Sequence, residues 1–262
     1  MARRTPPGTR PGLDLPARTE RLVTGFFPHV TAPGHVRAVD FGHVLVLIDY
    51  RTGRVRCLLP EAGAWWRAAA ITGRLDQVPP AAARHLLAAG LLVPTPMAEP
   101  WNPPVDAPAP EASWGSTEHP AGLVRPPHGP SFAASWALAA VFAVKRAGPT
   151  PTTMHRLTTA VRCAASTCRR PATTVQAVRA VEAVRRAGWR FPERTACLEE
   201  SVAAVFLLAA RRLAVTWCHG VAADPVRLHA WVQTWDGIAV AEPESTRAYT
   251  PVLTIGDPHH QP

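Results

Sequence analysis

Residues 95 to 130 read TPMAEPWNPPVDAPAPEASWGSTEHPAGLVRPPHGP. Proline lacks a backbone donor and clashes with the preceding turn of a helix, so a run this dense excludes both a helix and a central strand. The chain must therefore be built as two parts joined by an extended linker. Trp101 and Trp114 are expected to pin that linker to a domain surface. A second Pro- and Arg-rich stretch, residues 1–25, is expected to be a flexible N-terminal tail. That leaves residues 26–94 and 131–262 as folded domains. At 47% hydrophobic over 262 residues, the chain has enough apolar surface for real cores.

The first domain opens with β-branched runs, HVRAVDFG and HVLVLIDY, followed by YRTGRVRCLL, where Gly53 supplies a turn before a third strand. PEAGAWWRAAAITG and PPAAARHLLAAG then read as helices, each opened by proline and closed by glycine. The expectation is a three-stranded sheet followed by helices. After the linker, helices dominate: SFAASWALAAVFAVKRAG, TTMHRLTTAVRCAAS, TTVQAVRAVEAVRRAG and RTACLEESVAAVFLLAARR. The third of these carries an apolar stripe at Val175, Val178 and Val181, flanked by Ala177 and Val184. LAVTWCHGVA, LHAWVQTW, IAVAE and YTPVLTI follow as strands, with Asp236-Gly237 as a hairpin turn. Helices feeding a small antiparallel sheet make the second domain α+β.

The formal charge of +9 does not point to nucleic acid. Lys145 is the sole lysine, and the arginines are dispersed rather than gathered with aromatics on one face. No apolar run is long enough to span a bilayer, and no secretory signal opens the sequence. An odd set of five cysteines suits a reducing cytoplasm with free thiols. Cys163 and Cys168, and the adjacent pair Cys218-His219, lack the spacing of a zinc site, so neither metal nor cofactor is expected.

The chemistry concentrates in CLEESVAAVFLLAARRLAVTWCHGVAADPVRLHAW, Cys197 to Trp231. Cys197 starts a helix for which Thr195 is a natural N-cap, and the exposed amides there favour a thiolate. Glu199 and Glu200 in the same turn oppose it, so an imidazole is needed to populate the anion. His229 begins a strand on which residues 229, 231, 233 and 235 share a face. With a two-residue turn at Asp236-Gly237, Trp235 pairs with Ile238 and Trp231 with Glu242. That register makes Glu242 a diagonal neighbour of His229, about 7–8 Å away and within reach of a long side chain. Glu244 would lie directly opposite, but Pro243 intervenes. Glu242 is the preferred carboxylate, with Glu244 and Asp236 as the other choices. A thiol, an imidazole and a carboxylate in this order can attack, shuttle a proton and orient the shuttle. A cysteine at a helix start can equally be inert, and Cys218-His219 is a rival pair, although adjacent strand residues point to opposite faces.

The order Cys, His, acid resembles the transglutaminase-like, papain-like fold. ACLEESVAA followed by WCHGVAADPVRLHAWVQTWDGIAVAEP is similar to the leader peptidases of lasso peptide biosynthesis, the B proteins, over residues 131 to 262. That family cuts the leader from a ribosomally synthesised precursor with a Cys-His-Asp triad. Cys197 and His229 fall on its motif positions, and the third position falls on Glu242, with one extra residue in the hairpin. The resemblance implies a hydrolase, a cysteine protease whose substrate is the precursor peptide. It also implies a partner, the ATP-dependent, asparagine synthetase-like cyclase, and cleavage after a leader with Thr at its penultimate position. An acyltransferase on the same fold, or a non-catalytic precursor-binding module, are the other functions such a chain can have.

DFGHVLVLIDYRTGRVRCLLPEAGAWW resembles the PqqD-like precursor recognition element, a small winged-helix module, here shortened and fused to the peptidase. In that family the leader lies as an added strand against the third strand and packs on the last helix. By position, the resemblance implicates Arg54, Val55, Arg56, Cys57, Leu58 and Leu59, and then His85, Leu86 and Leu92. Most of the apolar residues among them also serve the small domain's core.

Overall fold

Strands form where the β-branched runs stand, as β2 (Val36–Asp40), β3 (Leu45–Asp49) and β4 (Arg54–Leu58), and a further short strand precedes them, β1 (Val30–Thr31). The computed structural model describes residues 29–107, 131–223 and 225–256. The expected tail at 1–25 and Trp114 lie outside the described residues. The turn from β3 to β4 is built by Asp49, whose carboxylate accepts the backbone N–H of Arg51 at 2.8 Å and the Thr52 hydroxyl at 2.6 Å. Gly53 completes it with a φ of 71°. The two expected helices are α1 (Pro60–Thr72) and α2 (Pro80–Ala88). Each is followed by a glycine at positive φ, Gly73 at 67° and Gly90 at 68°.

The described residues form two compact units, 29–33 with 64–102 in one, and 34–63 with 103–107 and the described residues from 131 to 256 in the other. In the smaller, β1 pairs antiparallel with β5 (Val93–Pro94), and Trp66, Ala69, Val78 and Ala83 are buried. Trp101 pins the start of the proline-rich stretch here. Its backbone N–H donates to the Ala70 carbonyl at 3.0 Å, and its ring stands edge-on to Trp66 at 6.1 Å.

In the larger unit, β4, β3, β2 and β6 (Val105–Asp106) form a sheet in that order. The β6 residues, between prolines, add a short parallel edge strand to β2, the one sheet role a proline-rich run permits. The helices are α3 (Phe132–Arg146), α4 (Thr153–Ser166), α5 (Thr174–Gly188) and α6 (Cys197–Ala209), with β7 (Arg170–Pro171) pairing with β8 (Leu213–Ala214). Thr173 and Gln176 close a capping box at the start of α5, and the apolar stripe holds at Ala177, Val181 and Val184. Val175, in the first turn, instead stays 58% exposed.

The central helix is α6. Val202, Ala203, Ala204, Val205, Leu207 and Leu208 are all buried, as expected of a helix apolar around its circumference. It packs on α3, α4, α5 and β10 (Arg227–Gln233). The last sheet runs β10, β9 (Thr216–Ala222), β11 (Thr250–Ile255), all antiparallel. Val39, Val46, Ile48 and Tyr50 share one core with Leu138, Val205 and Trp217. Four consecutive buried residues in β3 explain this grouping, because such a strand needs cover on both faces.

The IAVAE return strand does not form as the sequence suggests. Thr234 N–H donates to the Ile238 carbonyl and Gln233 bridges Ala239, so residues 235–237 make a three-residue loop ending on Gly237 at φ 78°. The register is one residue away from the two-residue turn expected, and pairing ends after Val240, whose N–H donates to the Val232 carbonyl. Ala241 then takes a left-handed φ of 54°.

Candidate active site

Cys197 is the first residue of α6 and is half-buried. The N-cap is Ala196 and not Thr195. The helix starts one residue later than expected because Glu199 reaches back to accept the Ala196 N–H at 3.1 Å. Thr195 donates its hydroxyl to Glu200 at 3.1 Å instead. The two glutamates that stand against a thiolate in the sequence are each paired with a cation. Lys145 bonds Glu199, and the Arg185 guanidinium lies 3.5 Å from Glu200. Burial still raises the Glu200 pKa, against the lowering influence of Arg185.

His229 is buried at 3% exposure and lines one cavity with Cys197 and Glu242. Its Nε2 lies 2.8 Å from Glu242 Oε2. Nδ1 is therefore the ring nitrogen left for the sulfur. The imidazole is stacked on Trp231, with ring centres 5.7 Å apart and planes 11° apart, and the Tyr249 ring lies tilted against it at 5.2 Å. Burial, the largest influence, lowers the His229 pKa. The neighbouring Cys197 and Glu242 both favour the cation, overcome it and push the pKa up to about 9. A cationic imidazole between a sulfur and a carboxylate can stabilise a thiolate, then release its proton to a departing group.

Glu242 reaches His229 by a route the register did not foresee. In the observed register it would oppose Ala230 and point away from the His229 face. Left-handed Ala241 ends the strand and redirects it. The side chain is 4% exposed, and Thr246 also donates to Oε2, at 3.2 Å. Arg185, from α5, donates to Oε1 at 2.6 Å and to the Ala241 carbonyl. Sequence reading missed Arg185. The one signal was its place among the apolar positions of α5, next to Val181 and Val184.

The other candidates fall elsewhere. Glu244 is exposed and pairs with Arg247 at 3.1 Å, and Asp236 is exposed and accepts from Thr234. His219 does not act with Cys218. The Tyr50 hydroxyl is 2.8 Å from its Nδ1, and burial together with the His229 charge lowers its pKa to about 4, so it is neutral. Cys218 is buried beside Trp231 and Tyr249. Cys57 and Cys163 are exposed, and none of the five cysteines is in a disulfide. Among the described residues, no group of three or more His, Cys, Asp or Glu is arranged to hold a metal.

Of the residues implicated in leader binding, Arg54 to Leu58 make β4, an edge strand, and Leu59 is 74% exposed. His85 is exposed, whereas Leu86 and Leu92 are buried in the smaller unit.

Gly220 pairs with His229 across the sheet. A Cβ there would sit 2.7 Å from both the Thr250 carbonyl oxygen and the Trp231 ring. Gly220→Ala is expected to displace Trp231 from beneath His229 and to cost about 1–3 kcal/mol of stability by overpacking, read from urea unfolding. Unchanged stability and an unchanged pH profile would contradict this.

No curated protein and no solved structure matches the chain. Residues 140–254 match the model described as the transglutaminase-like superfamily. That span contains Cys197, His229 and Glu242. Residues 140–254 are thus a transglutaminase-like domain.

Proposed function

We propose that this chain is a cysteine peptidase that removes the leader from a lasso precursor peptide. The observation that carries the reading is that Cys197, His229 and Glu242 line one cavity, with the His229 imidazole hydrogen-bonded to Glu242 at 2.8 Å. The sequence resemblance to lasso leader peptidases supplies the substrate class. Cys197, as thiolate, attacks the carbonyl carbon of the leader–core bond and forms a tetrahedral oxyanion. His229 gives its proton to the core's nitrogen, the C–N bond breaks, and the leader remains as a thioester on Cys197. Neutral His229 then takes a proton from water, which attacks the thioester and frees the leader carboxylate and the thiol. Glu242 keeps the imidazole oriented and stabilises its cationic form. The freed core amine is the group that an ATP-dependent cyclase joins to a side-chain carboxyl. The leader is taken as an added strand along β4, whose outer edge supplies backbone donors and acceptors.

Mass spectrometry of a precursor incubated with the purified chain tests the reading. Two fragments are expected, with masses summing to the precursor plus one water. A product cross-linked through an amine, or an intact precursor in the presence of the cyclase, would overturn it.

A further inference from the structure

Glu242 is held where the backbone does not favour it. A left-handed conformation such as that of Ala241 costs a non-glycine residue about 1–2 kcal/mol, and it persists only where the surroundings fix it. Arg185 is the residue that does so. One arm of its guanidinium donates to the Ala241 carbonyl and the other to Glu242 Oε1 at 2.6 Å, so carbonyl and carboxylate are gripped by one planar fork. Its Nε lies 3.5 Å from Glu200, one turn along α6 from Cys197. The same side chain thus reaches the loop behind His229 and the helix that carries the sulfur. Oε2 of Glu242 is left for His229 and Thr246.

We propose that Arg185 is a positioning residue of this site: by gripping the Ala241 carbonyl and Glu242 together, it keeps the carboxylate behind His229 and the imidazole facing Cys197. The inference rests on Cys197, His229 and Glu242 being the reacting group. It does not depend on which peptide is cut.

The test is a double-substitution cycle on the full chain. Its readout is the rate at which iodoacetamide alkylates Cys197 at neutral pH. Peptide mapping separates Cys197 from the exposed Cys57 and Cys163. Arg185→Lys keeps the charge but loses the fork, and should slow alkylation about tenfold, since small misplacements carry penalties of that order. Glu242→Gln should slow it at least as much. The double variant should be no slower than Glu242→Gln alone, because a residue acting through Glu242 has nothing left to position. On precursor, the same pattern should appear in kcat, with KM within about threefold. Arg185→Gln provides the same comparison if the lysine variant does not fold. Wild-type alkylation in both Arg185 variants, or losses that multiply in the double variant, would overturn the assignment. So would Glu200→Gln reproducing the Arg185→Lys loss, since the route would then run through α6. If precursor is never cleaved but the alkylation cycle behaves as described, the peptidase reading fails and the role of Arg185 stands.

Discussion

Replacing Cys197 by alanine is expected to reduce precursor cleavage by at least about a thousandfold while leaving precursor affinity unchanged. Removing a nucleophile abolishes the covalent path and leaves only the residual catalysis of binding and electrostatics. The fold should tolerate the change, because Cys197 is a half-buried residue at the head of α6. The helix start is fixed by the Glu199 carboxylate on the Ala196 N–H, which the substitution leaves intact. Cleavage is followed by mass spectrometry and affinity by titration of labelled precursor. Cleavage within tenfold of wild type would remove Cys197 from the mechanism. Lost binding would show that the thiol matters for capture rather than chemistry.

Replacing Glu242 by glutamine is expected to lower kcat by about 10²–10⁴-fold, the range found when an orienting carboxylate loses its charge behind a catalytic imidazole. It should also move the pH profile, and the sign follows from His229. Its pKa is raised to about 9, so the proton needed to expel the amine is present below that pH and lost as pH rises through it. Cleavage should therefore fall on an alkaline limb near pH 9. Glutamine removes the negative charge of Glu242, one of the influences raising the His229 pKa, so the limb should move to lower pH. The raised pKa also links to stability: the contribution is complete below about pH 6.5 and declines as pH rises towards 9. An alkaline limb that stays in place in Glu242→Gln would contradict the proposed orientation.

Local structure was legible where periodicity and punctuation agree. The three N-terminal strands, the two helices between proline and glycine, and the apolar face of α5 all stand where their residues place them. What those strands cover was not legible. The unbroken apolar run shows that β3 is buried but not that its partners include a helix and a strand more than a hundred residues away, in the core that Ile48 shares with Val205 and Trp217. The thiol and imidazole were legible because a helix start and a strand fix side-chain directions. Glu242 was legible as a residue but not as a geometry. The two-residue turn would have put it on the His229 face through the sheet. The observed three-residue loop removes that route, and the left-handed Ala241 restores the contact by another. Arg185 was not legible at all, since a helix position reveals nothing about which distant loop a long side chain will reach.

The most direct test of the central claim is the titration of the His229 imidazole, followed by NMR of histidine-labelled protein. A midpoint near pH 9 is expected, falling to lower pH in both Cys197→Ala and Glu242→Gln, because the sulfur and the carboxylate each raise it. A midpoint near 6.5 that neither substitution moves would mean that the imidazole does not stand between the two groups.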